Sequence, residues 1–416
     1  MSSLPLDTLP GNRLTPKVRR LRRAATPALF RTAMSAATHD WEGGRLTVRL
    51  PEGDDFVAER NGEGPDAELI VHDFTFMKRV MAAGDIGFAE GYVAGEWDTP
   101  DLPDLLEAFS GNFERLQRLA LGSPLVQATN RLLNVFRRNT RKGSKRNIYA
   151  HYDLGNAFYS AWLDPSMSYS SAIYAEADQS LETAQREKYA RLAQAIDLQP
   201  GHEVLEIGCG WGGFAEYAAR ERGAHVTGLT ISKAQHDYAR ERLAKAGLSD
   251  RTDIRLQDYR EVGGSFDRVV SIEMFEAVGE SYWPSYFDQV RARLKPGGKA
   301  ALQIITIRDD LFETYRKRVD FIQKYVFPGG MLPSEARLQK ETARAGLTWQ
   351  GVTRHGLDYA RTLHAWAEQF EAAWPQLRQQ GFDEPFRRLW RFYLAYCEAG
   401  FRTARTEVVQ LALERR

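Results

Sequence analysis

The segment Glu206–Gly213 reads EIGCGWGG and combines glycines at alternate positions with one acidic residue. Gly208, Gly210 and Gly212 let the backbone turn sharply and approach a ligand closely, where a Cβ would clash. Glu206 stands just ahead of the first glycine, and this spacing differs from the fingerprint of dinucleotide-binding loops. A carboxylate there suits a ligand that is cationic overall, with an amino group and a sulfonium, rather than a pyrophosphate. We therefore predict S-adenosylmethionine as the cofactor.

Two later segments are predicted to complete the cofactor site, because each follows a strand-like run and ligands bind at the carboxyl ends of such strands. The segment Thr230–Gln235 reads TISKAQ, and its hydroxyl and amide groups suit a ribose. Gln235 takes the place of the acidic residue that usually lies on the second strand. Asp258 and Tyr259 follow the third run and are predicted to bracket an adenine, with Asp258 accepting from its amino group.

Strand-like runs alternate with helical stretches between residues 185 and 307, which predicts an α/β fold with a doubly wound, mostly parallel sheet. The five runs are Glu203–Ile207, His225–Thr230, Ile254–Gln257, Arg268–Ile272 and Ala300–Ile307. A helix is predicted over Lys233–Ala246, since its Ala and Tyr positions fall on one face. Residues 308–416 are predicted to be helical and are rich in aromatic residues.

The part of the chain before residue 150 has a different pattern. The segments Arg45–Leu50 and Glu68–Phe76 alternate at period two, so we predict two strands in a small α+β unit. Basic residues cluster at Lys17–Arg23 and at Arg137–Arg146. The predicted organisation is a basic N-terminal arm at 1–40, a small domain at 41–125, a basic linker at 126–150 and a methyltransferase catalytic domain at 151–416.

Composition narrows the class of protein. A chain of 416 residues is too long to fold around a single hydrophobic core of ordinary size. Its content of 43% hydrophobic and 27% charged residues is typical of a soluble globular protein. A formal net charge of +1 gives no overall attraction to nucleic acid, which we do not expect as a partner. Cys209 and Cys397 form no disulfide framework, which fits a reducing cytosol. We find no apolar stretch of about 18 residues, no secretion signal and no metal-ligand spacing.

Several other segments form an ordered set of motifs. They read HYDLGNAFY from His151, LDPSMSYSSAIY from Leu163, EIGCGWGGF, LTISKAQ, QDYR, MFEAVG from Met274, LKPGG, YVFPGGMLPS and YLAYCEAGFR. This set resembles the cyclopropane-fatty-acyl-phospholipid synthase family, which includes the mycolic acid cyclopropane synthases, over about residues 41–416. The resemblance implies a Rossmann-like class I methyltransferase domain with a smaller N-terminal α+β domain and helical C-terminal additions.

The resemblance also implies an activity, the transfer of a methyl group from S-adenosylmethionine to the cis double bond of an unsaturated acyl chain in a membrane phospholipid. In the family, Tyr169 and Ser170 would touch the cofactor, and Cys397 takes the place of a C-terminal cysteine treated as catalytic. Because such a double bond lies inside a bilayer, we expect a cytoplasmic enzyme attached peripherally to the inner membrane through anionic headgroups. The N-terminal domain is expected to bind lipid and to form a homodimer.

An alkene acceptor sets demands on the pocket. Attack of the alkene on the methyl group leaves a carbocation in the acyl chain, so the pocket must exclude water. Aromatic ring faces can stabilise the positive charge, and Tyr359 is our candidate for this role. Ring closure then needs a base, and the resemblance implies a bound bicarbonate held by Glu276, Tyr359 and the backbone of Ile305. The two remaining ligands in the family, a cysteine and a histidine, are replaced here by Ser171 and Gln303.

These replacements leave two outcomes open. Serine and glutamine can still form hydrogen bonds to an anion. If bicarbonate is therefore still bound as the base, the ring forms. Without that base, a hydride shift and proton loss from the chain give a methylene- or methyl-branched product. Glu273 and Glu276 are alternative bases if burial raises their pKa. Cys397 lies on an apolar helix, where inert packing competes with a catalytic role.

Two other classes of function compete with lipid methylation. The glycine loop also fits a nucleic-acid or small-molecule methyltransferase, but the sequence lacks an Asn-Pro-Pro-Tyr type of motif. The residues Ser171 and Gln303, in place of cysteine and histidine, motivate a non-catalytic lipid-binding protein. The intact glycine loop argues against that alternative.

Overall fold

The computed structural model describes residues 28, 30–59, 63–113, 115–116 and 154–416. Both basic clusters, the linker predicted at 126–150 and His151 lie outside these residues. The described residues form a small N-terminal unit and a larger α/β unit. The predicted domain boundaries at residues 125 and 150 therefore stay a prediction.

The N-terminal unit is built around a four-stranded sheet in the order β2-β1-β3-β4, in which only β1 and β3 pair in parallel. Its strands are β1 (Arg45–Arg49), β2 (Asp55–Glu59), β3 (Asp66–Val71) and β4 (Trp97–Asp98). Its helices are α1 (residues 30–37), α2 (Thr75–Ala83), α3 (Asp85–Val93) and α4 (Leu102–Gly111). Phe30 on α1 is buried, so the end of the predicted arm packs onto this unit.

The strand predicted over Arg45–Leu50 is present as β1, but the strand predicted over Glu68–Phe76 is wrong at its C-terminal end. The observed strand stops at Val71 and a helix follows. The Asp73 carboxylate accepts a hydrogen bond of 2.8 Å from the N–H of Thr75. This local side-chain bond ends the extended backbone and starts α2, although the apolar alternation continues.

The larger unit is a seven-stranded sheet in the order β10-β11-β9-β8-β5-β6-β7, in which β11 alone runs antiparallel to the others. Its strands are β5 (Glu203–Ile207), β6 (His225–Thr230), β7 (Thr252–Leu256), β8 (Phe266–Ile272), β9 (Leu294–Ile307), β10 (Leu347–Arg354) and β11 (Thr406–Arg415). The five predicted strands correspond to β5 through β9. This mostly parallel sheet confirms the predicted α/β fold class.

The helices of the larger unit flank these strands along the chain. They are α5 (Asn156–Tyr159), α6 (Leu181–Ala195), α7 (Gly213–Glu221), α8 (Lys233–Lys245), α9 (Trp283–Arg293), α10 (Asp309–Tyr315), α11 (Glu335–Arg344), α12 (Gly356–Gln379) and α13 (Glu384–Arg402). A short π-helical turn spans Ile322–Val326. The helix predicted over Lys233–Ala246 is α8, one residue shorter.

The prediction that residues 308–416 are helical is wrong in two places, because β10 and β11 lie there. Strand β11 lies between β9 and β10, and Val408–Leu413 are buried without alternation. A strand that is buried on both faces reads as a continuous apolar run. Its periodicity cannot distinguish it from a buried helix.

The two units share one hydrophobic core. Helix α13 packs against α3 and α4, and the ring centroids of Phe392 and Trp97 lie 6.4 Å apart. Arg318 pairs with Asp85 at 2.6 Å across the same boundary. The N-terminal unit is therefore a wall of the larger unit rather than a separate body.

Gly87 on α3 lies against α2, and a Cβ on it would lie 2.0 Å from the backbone oxygen of Arg79. Because backbone atoms cannot rotate away, we predict that Gly87→Ala lowers the free energy of unfolding by about 1–3 kcal/mol. Urea denaturation followed by tryptophan fluorescence measures this change. Gly111→Ala is the control, since a Cβ there meets no atom within 4 Å. An equal loss in both variants would contradict the prediction.

Candidate active site

A cavity of about 580 Å³ extends from the glycine loop to the N-terminal unit. The predicted site residues that line it are Tyr169, Ser170, Glu206, Gly208, Gly210, Thr230, Gln235, Asp258, Tyr259, Glu276, Ile305, Tyr359 and Cys397. Gly212, Ser171 and Gln303 do not line it, and the latter two are fully buried. The fold thus brings widely separated segments to one place.

The glycine loop begins where β5 ends. Gly208, Gly210 and Gly212 have φ angles of +82°, +52° and +85°, in the left-handed region that glycine tolerates. A Cβ on Gly208 would lie 2.6 Å from Cγ of Met274, so the loop packs directly against the segment after β8. Helix α7 starts at Gly213, which also lines the cavity. A ligand in the cavity can therefore approach the backbone closely.

Glu206 supplies the carboxyl group of this loop. The residue is 2% exposed, and its Oε2 atom has no hydrogen-bond partner among the described residues. Burial raises the pKa of this carboxyl to about 8, although the Lys188 ammonium opposes the shift. A cationic ligand group beside Oε2 would favour the charged carboxylate. The site therefore fits the amino end of S-adenosylmethionine.

The predicted ribose and adenine contacts lie at the ends of β6 and β7, the next two strands of the sheet after β5. Thr230 Oγ1 donates to Gln235 Oε1 at 2.8 Å, and both residues are buried. The Asp258 carboxylate accepts from Arg260 Nε at 2.8 Å. An adenine amino group would therefore share this carboxylate with a guanidinium. Tyr259 lines the cavity beside them.

A buried lysine supports this part of the site, and sequence reasoning missed it. Lys188 on α6 donates from Nζ to Ser170 Oγ at 2.6 Å. Burial lowers its pKa to about 8, while nearby carboxylates, that of Glu273 foremost, raise it. The sequence does not mark it, because only packing shows that this lysine lies among the buried residues of its helix.

Aromatic side chains surround the same region. The hydroxyl groups of Tyr169 and Tyr393 share a hydrogen bond of 2.8 Å. The ring of Tyr359 packs on that of Phe401 with centroids 4.5 Å apart. Trp366 has its ring 5.3 Å from that of Tyr169 and 6.1 Å from that of Tyr359. One side of the cavity is thus the aromatic surface that the sequence predicts.

Glu273 is the centre of a hydrogen-bond cluster. Its Oε1 atom accepts from the backbone N–H of Ser171 and from Gln303 Nε2, both at 2.8 Å. Its Oε2 atom accepts from Tyr359 Oη at 2.7 Å. Gln410 Nε2 donates to Gln303 Oε1 at 3.0 Å, so Gln303 presents its NH2 group to Glu273. Three predicted site residues therefore meet around a carboxylate that the sequence marked only as an alternative base.

Glu276 is the second carboxylate of this region. Its Oε1 atom accepts from the backbone N–H of Ile305 at 2.5 Å, and its Oε2 atom has no partner among the described residues. Burial and the charge of Glu273 raise its pKa to about 8. Burial also raises the pKa of Glu273, but Lys188 and the hydrogen-bond donors oppose that shift. Lys188 and these donors therefore favour the ionised form of Glu273 more than the single backbone donor favours that of Glu276.

Cys397 lies on α13 and lines the cavity. Burial, with a smaller effect of Asp320, raises the pKa of this thiol above its usual range. The thiol is therefore protonated at neutral pH, and a protonated thiol is a poor nucleophile.

Metal-binding and membrane-spanning features are absent from the part of the chain that the structure describes. No group of three or more His, Cys, Asp or Glu side chains among those residues could hold a metal ion. No helix within the same residues is both long enough and apolar enough to cross a membrane.

The sequence and the fold are similar to those of known methyltransferases and cyclopropane synthases. A family profile described as mycolic acid cyclopropane synthetase matches residues 139–411. The tuberculostearic acid methyltransferase of Mycobacterium tuberculosis is 40% identical over 346 residues, 81% of this chain and 81% of that protein. The cyclopropane-fatty-acyl-phospholipid synthase of Escherichia coli K12 is 36% identical over 362 residues, 85% of this chain and 89% of that protein. The solved structure of mycolic acid cyclopropane synthase CmaA1 with SAH and CTAB has a TM-score of 0.62 and 29% identity, and covers 65% of this chain and 98% of that one.

Glu206→Gln removes the negative charge beside the glycine loop and keeps the shape of the side chain. We predict that binding of S-adenosylmethionine weakens about 10-fold to 100-fold, because a hydrogen bond to a charged group contributes about 1.5–3 kcal/mol. Isothermal titration calorimetry measures the affinity. Glu203→Gln on the same strand is the control, since that side chain is 50% exposed and should not affect binding. Equal affinities of the two variants would refute this role of Glu206.

Proposed function

The chain belongs to the mycolic acid cyclopropane synthetase family of S-adenosylmethionine-dependent methyltransferases, and we propose that it methylates an unsaturated acyl chain of a membrane phospholipid. The acceptor is the cis double bond of that chain, and ring closure to a cyclopropane follows. One observation carries this proposal. A single cavity joins the glycine loop, where the methyl donor fits, to an apolar wall from the N-terminal unit.

That apolar wall suits an acyl chain. Its members in the N-terminal unit are Phe30, Met34, Leu69, Phe76, Met77, Val80, Phe88 and Phe109. Met81 also lines the cavity and is 67% exposed, so the wall extends to the protein surface. An acyl chain that enters there would contact these apolar side chains within the cavity that also contains the glycine loop.

The N-terminal unit also favours a phospholipid over a mycolate acceptor. The family profile starts at residue 139, after this unit. The alignment with the Escherichia coli phospholipid synthase spans 362 residues, which is more than the chain contains after residue 139. The similarity to a phospholipid-modifying relative therefore includes part of the N-terminal unit, which supports a phospholipid acceptor.

S-adenosylmethionine supplies an electrophilic methyl group when it is bound at the glycine loop. Glu206 would hold the cationic amino end of that cofactor. The apolar wall excludes water, which would quench a carbocation in the acyl chain. The ring faces of Tyr169 and Tyr359 stabilise positive charge without offering a strong nucleophile. Glu273 lines the same cavity, and its ionised form would favour a nearby cation.

Methylation without ring closure is the second candidate. The relative at 40% identity is a tuberculostearic acid methyltransferase, and Ser171 and Gln303 stand where the resemblance implies a cysteine and a histidine. In this alternative, a hydride shift first moves the positive charge to the carbon that bears the transferred methyl group. Proton loss from that methyl group then leaves a methylene branch, and proton loss from a neighbouring chain carbon leaves a methyl-branched alkene. The product then depends on which proton lies within reach of the base.

The proposal includes reversible attachment to an anionic membrane surface on the cytoplasmic side and assembly as a homodimer. The acceptor double bond lies inside a bilayer, so the enzyme must contact lipid. The exposed side chain of Met81 at the end of the apolar wall supports such contact. The basic clusters Lys17–Arg23 and Arg137–Arg146, which would contact headgroups, lie outside the described residues.

Expression in a bacterial host that lacks such enzymes tests the proposal, with Glu206→Gln as the control with weakened cofactor binding. We expect the unsaturated fatty-acid methyl esters to gain the mass of one methylene unit in mass spectrometry. A cyclopropane and a methylene-branched chain have the same mass, but only the branched alkene takes up hydrogen under mild hydrogenation. An unchanged lipid profile, together with purified protein that is inactive on unsaturated phospholipid, would exclude the proposal.

Cys397→Ala tests whether the C-terminal cysteine takes part in the reaction. We predict that its turnover stays within about threefold of the wild-type rate, because a protonated thiol provides neither a nucleophile nor a base. Methyl transfer from labelled S-adenosylmethionine to phospholipid vesicles measures this rate. A loss of about 100-fold with an unchanged unfolding midpoint would assign Cys397 to catalysis instead.

A further inference from the structure

Glu273 occupies the place that the resemblance assigns to a bound anion. The side chains of Gln303 and Tyr359, two of the expected bicarbonate ligands, donate to the Glu273 carboxylate. The backbone N–H of Ser171 donates to it as well, while the Ser171 hydroxyl donates to the carbonyl oxygen of Ala172. The N–H of Ile305, which is the expected backbone ligand, donates to Glu276. A bicarbonate ion would therefore find its donors engaged and two carboxylates beside it. The residues present do not fit bicarbonate.

The backbone at Glu273 shows that this arrangement is maintained against local strain. Its φ angle is +48°, a conformation that is uncommon for residues other than glycine. The residue directly follows β8, and its N–H donates to the carbonyl oxygen of Gln303 at 2.8 Å. This bond anchors the chain where its side chain reaches the cavity. Such strain persists at functional sites when the surroundings hold it in place.

The charges that face Glu273 favour its ionised form relative to that of its neighbour. The Lys188 ammonium is the opposing charge, and it also faces Glu206. Glu276 has a single backbone donor, so protonation of this group relieves the repulsion between the two acids. The Tyr359 hydroxyl donates a hydrogen bond to Glu273. Burial raises the pKa of Tyr359, so this hydroxyl stays neutral.

We propose that the Glu273 carboxylate is the catalytic base of this protein and replaces a diffusible bicarbonate ion. This inference rests on the proposed methyl transfer. The alkene electron pair forms a bond to the sulfonium methyl carbon, and the carbon–sulfur pair leaves with the sulfur. Glu273 then takes a proton from the transferred methyl group, and the electron pair of that C–H bond closes the ring. In the branched alternative, a hydride shift within the chain comes first. The same carboxylate then takes a proton from the transferred methyl group or from a neighbouring chain carbon, and the electron pair of that C–H bond forms the alkene.

The first experiment measures turnover with and without bicarbonate in buffers freed of carbon dioxide. We expect the wild-type rate to be the same in both conditions. Glu273→Gln should lower kcat about 100-fold or more, because general base catalysis typically contributes at least that factor, and should leave the affinity for S-adenosylmethionine unchanged. Glu203→Gln serves as the carboxylate control. A wild-type enzyme that stops without bicarbonate, or a Glu273→Gln variant within about threefold of wild type, would overturn the proposal.

The second experiment needs no turnover. Glu273→Gly removes the carboxylate, frees its three donors and suits the positive φ angle, so this variant should fold. Carbon-13-labelled bicarbonate should show line broadening in NMR spectra with Glu273→Gly and none with the wild type. Equal signals with both proteins, whether broadened or sharp, would overturn the placement of Glu273 at the anion position.

The two experiments separate this inference from the proposed function. If the wild type methylates no lipid under any condition, the proposed function fails, and the base role fails with it, even when Glu273→Gly alone binds bicarbonate. If the wild type methylates lipid but requires bicarbonate, the proposed function stands and the role of Glu273 is refuted.

Discussion

The burial of three acidic side chains is the constraint on which the rest of this structure depends. The carboxylates of Glu206, Glu273 and Glu276 all line one largely apolar cavity, and burial raises the pKa of each of them. Lys188 is the opposing charge and is itself fully buried. Methyl transfer to an alkene generates a cation in the acyl chain. Buried carboxylates are costly in the resting protein, but their electrostatic field would stabilise that cation in the reacting state. No reorganisation of water would be needed.

The order and register of the strands place the charged groups and their donors. β5 and β8 are neighbours in the sheet, so Glu206 near the end of one and Glu273 beyond the end of the other reach the cavity from the same edge. Gln303 on β9 pairs with Gln410 on β11, and their side-chain bond fixes which end of the Gln303 amide faces Glu273. The single antiparallel strand therefore determines the donor pattern at the acid cluster. Tyr359 reaches the same carboxylate from the start of α12.

The N-terminal unit joins the acyl site to the charged site. Its helices complete the apolar wall, and the pairs between Arg318 and Asp85 and between Lys324 and Glu90 hold it against the larger unit. An acyl chain bound against this wall would displace water, and the electrostatic effects of the acid cluster would then be stronger than in an open cleft. The proposed acceptor and the reactive groups thus depend on the same contact between the two units.

The sequence by itself determined the glycine loop, the five strands β5 to β9 and the family, because local spacing carries these features: the glycines after β5 need no distant partner to be recognised. The helical prediction was wrong at β11, because burial on both faces of this strand removes the alternation of apolar and polar residues that marks a strand. Lys188 reads as an ordinary helix residue until packing buries it. The roles of Glu273 and Gln303 were decided only by the tertiary structure, because desolvation and hydrogen bonding depend on neighbours that are remote along the chain.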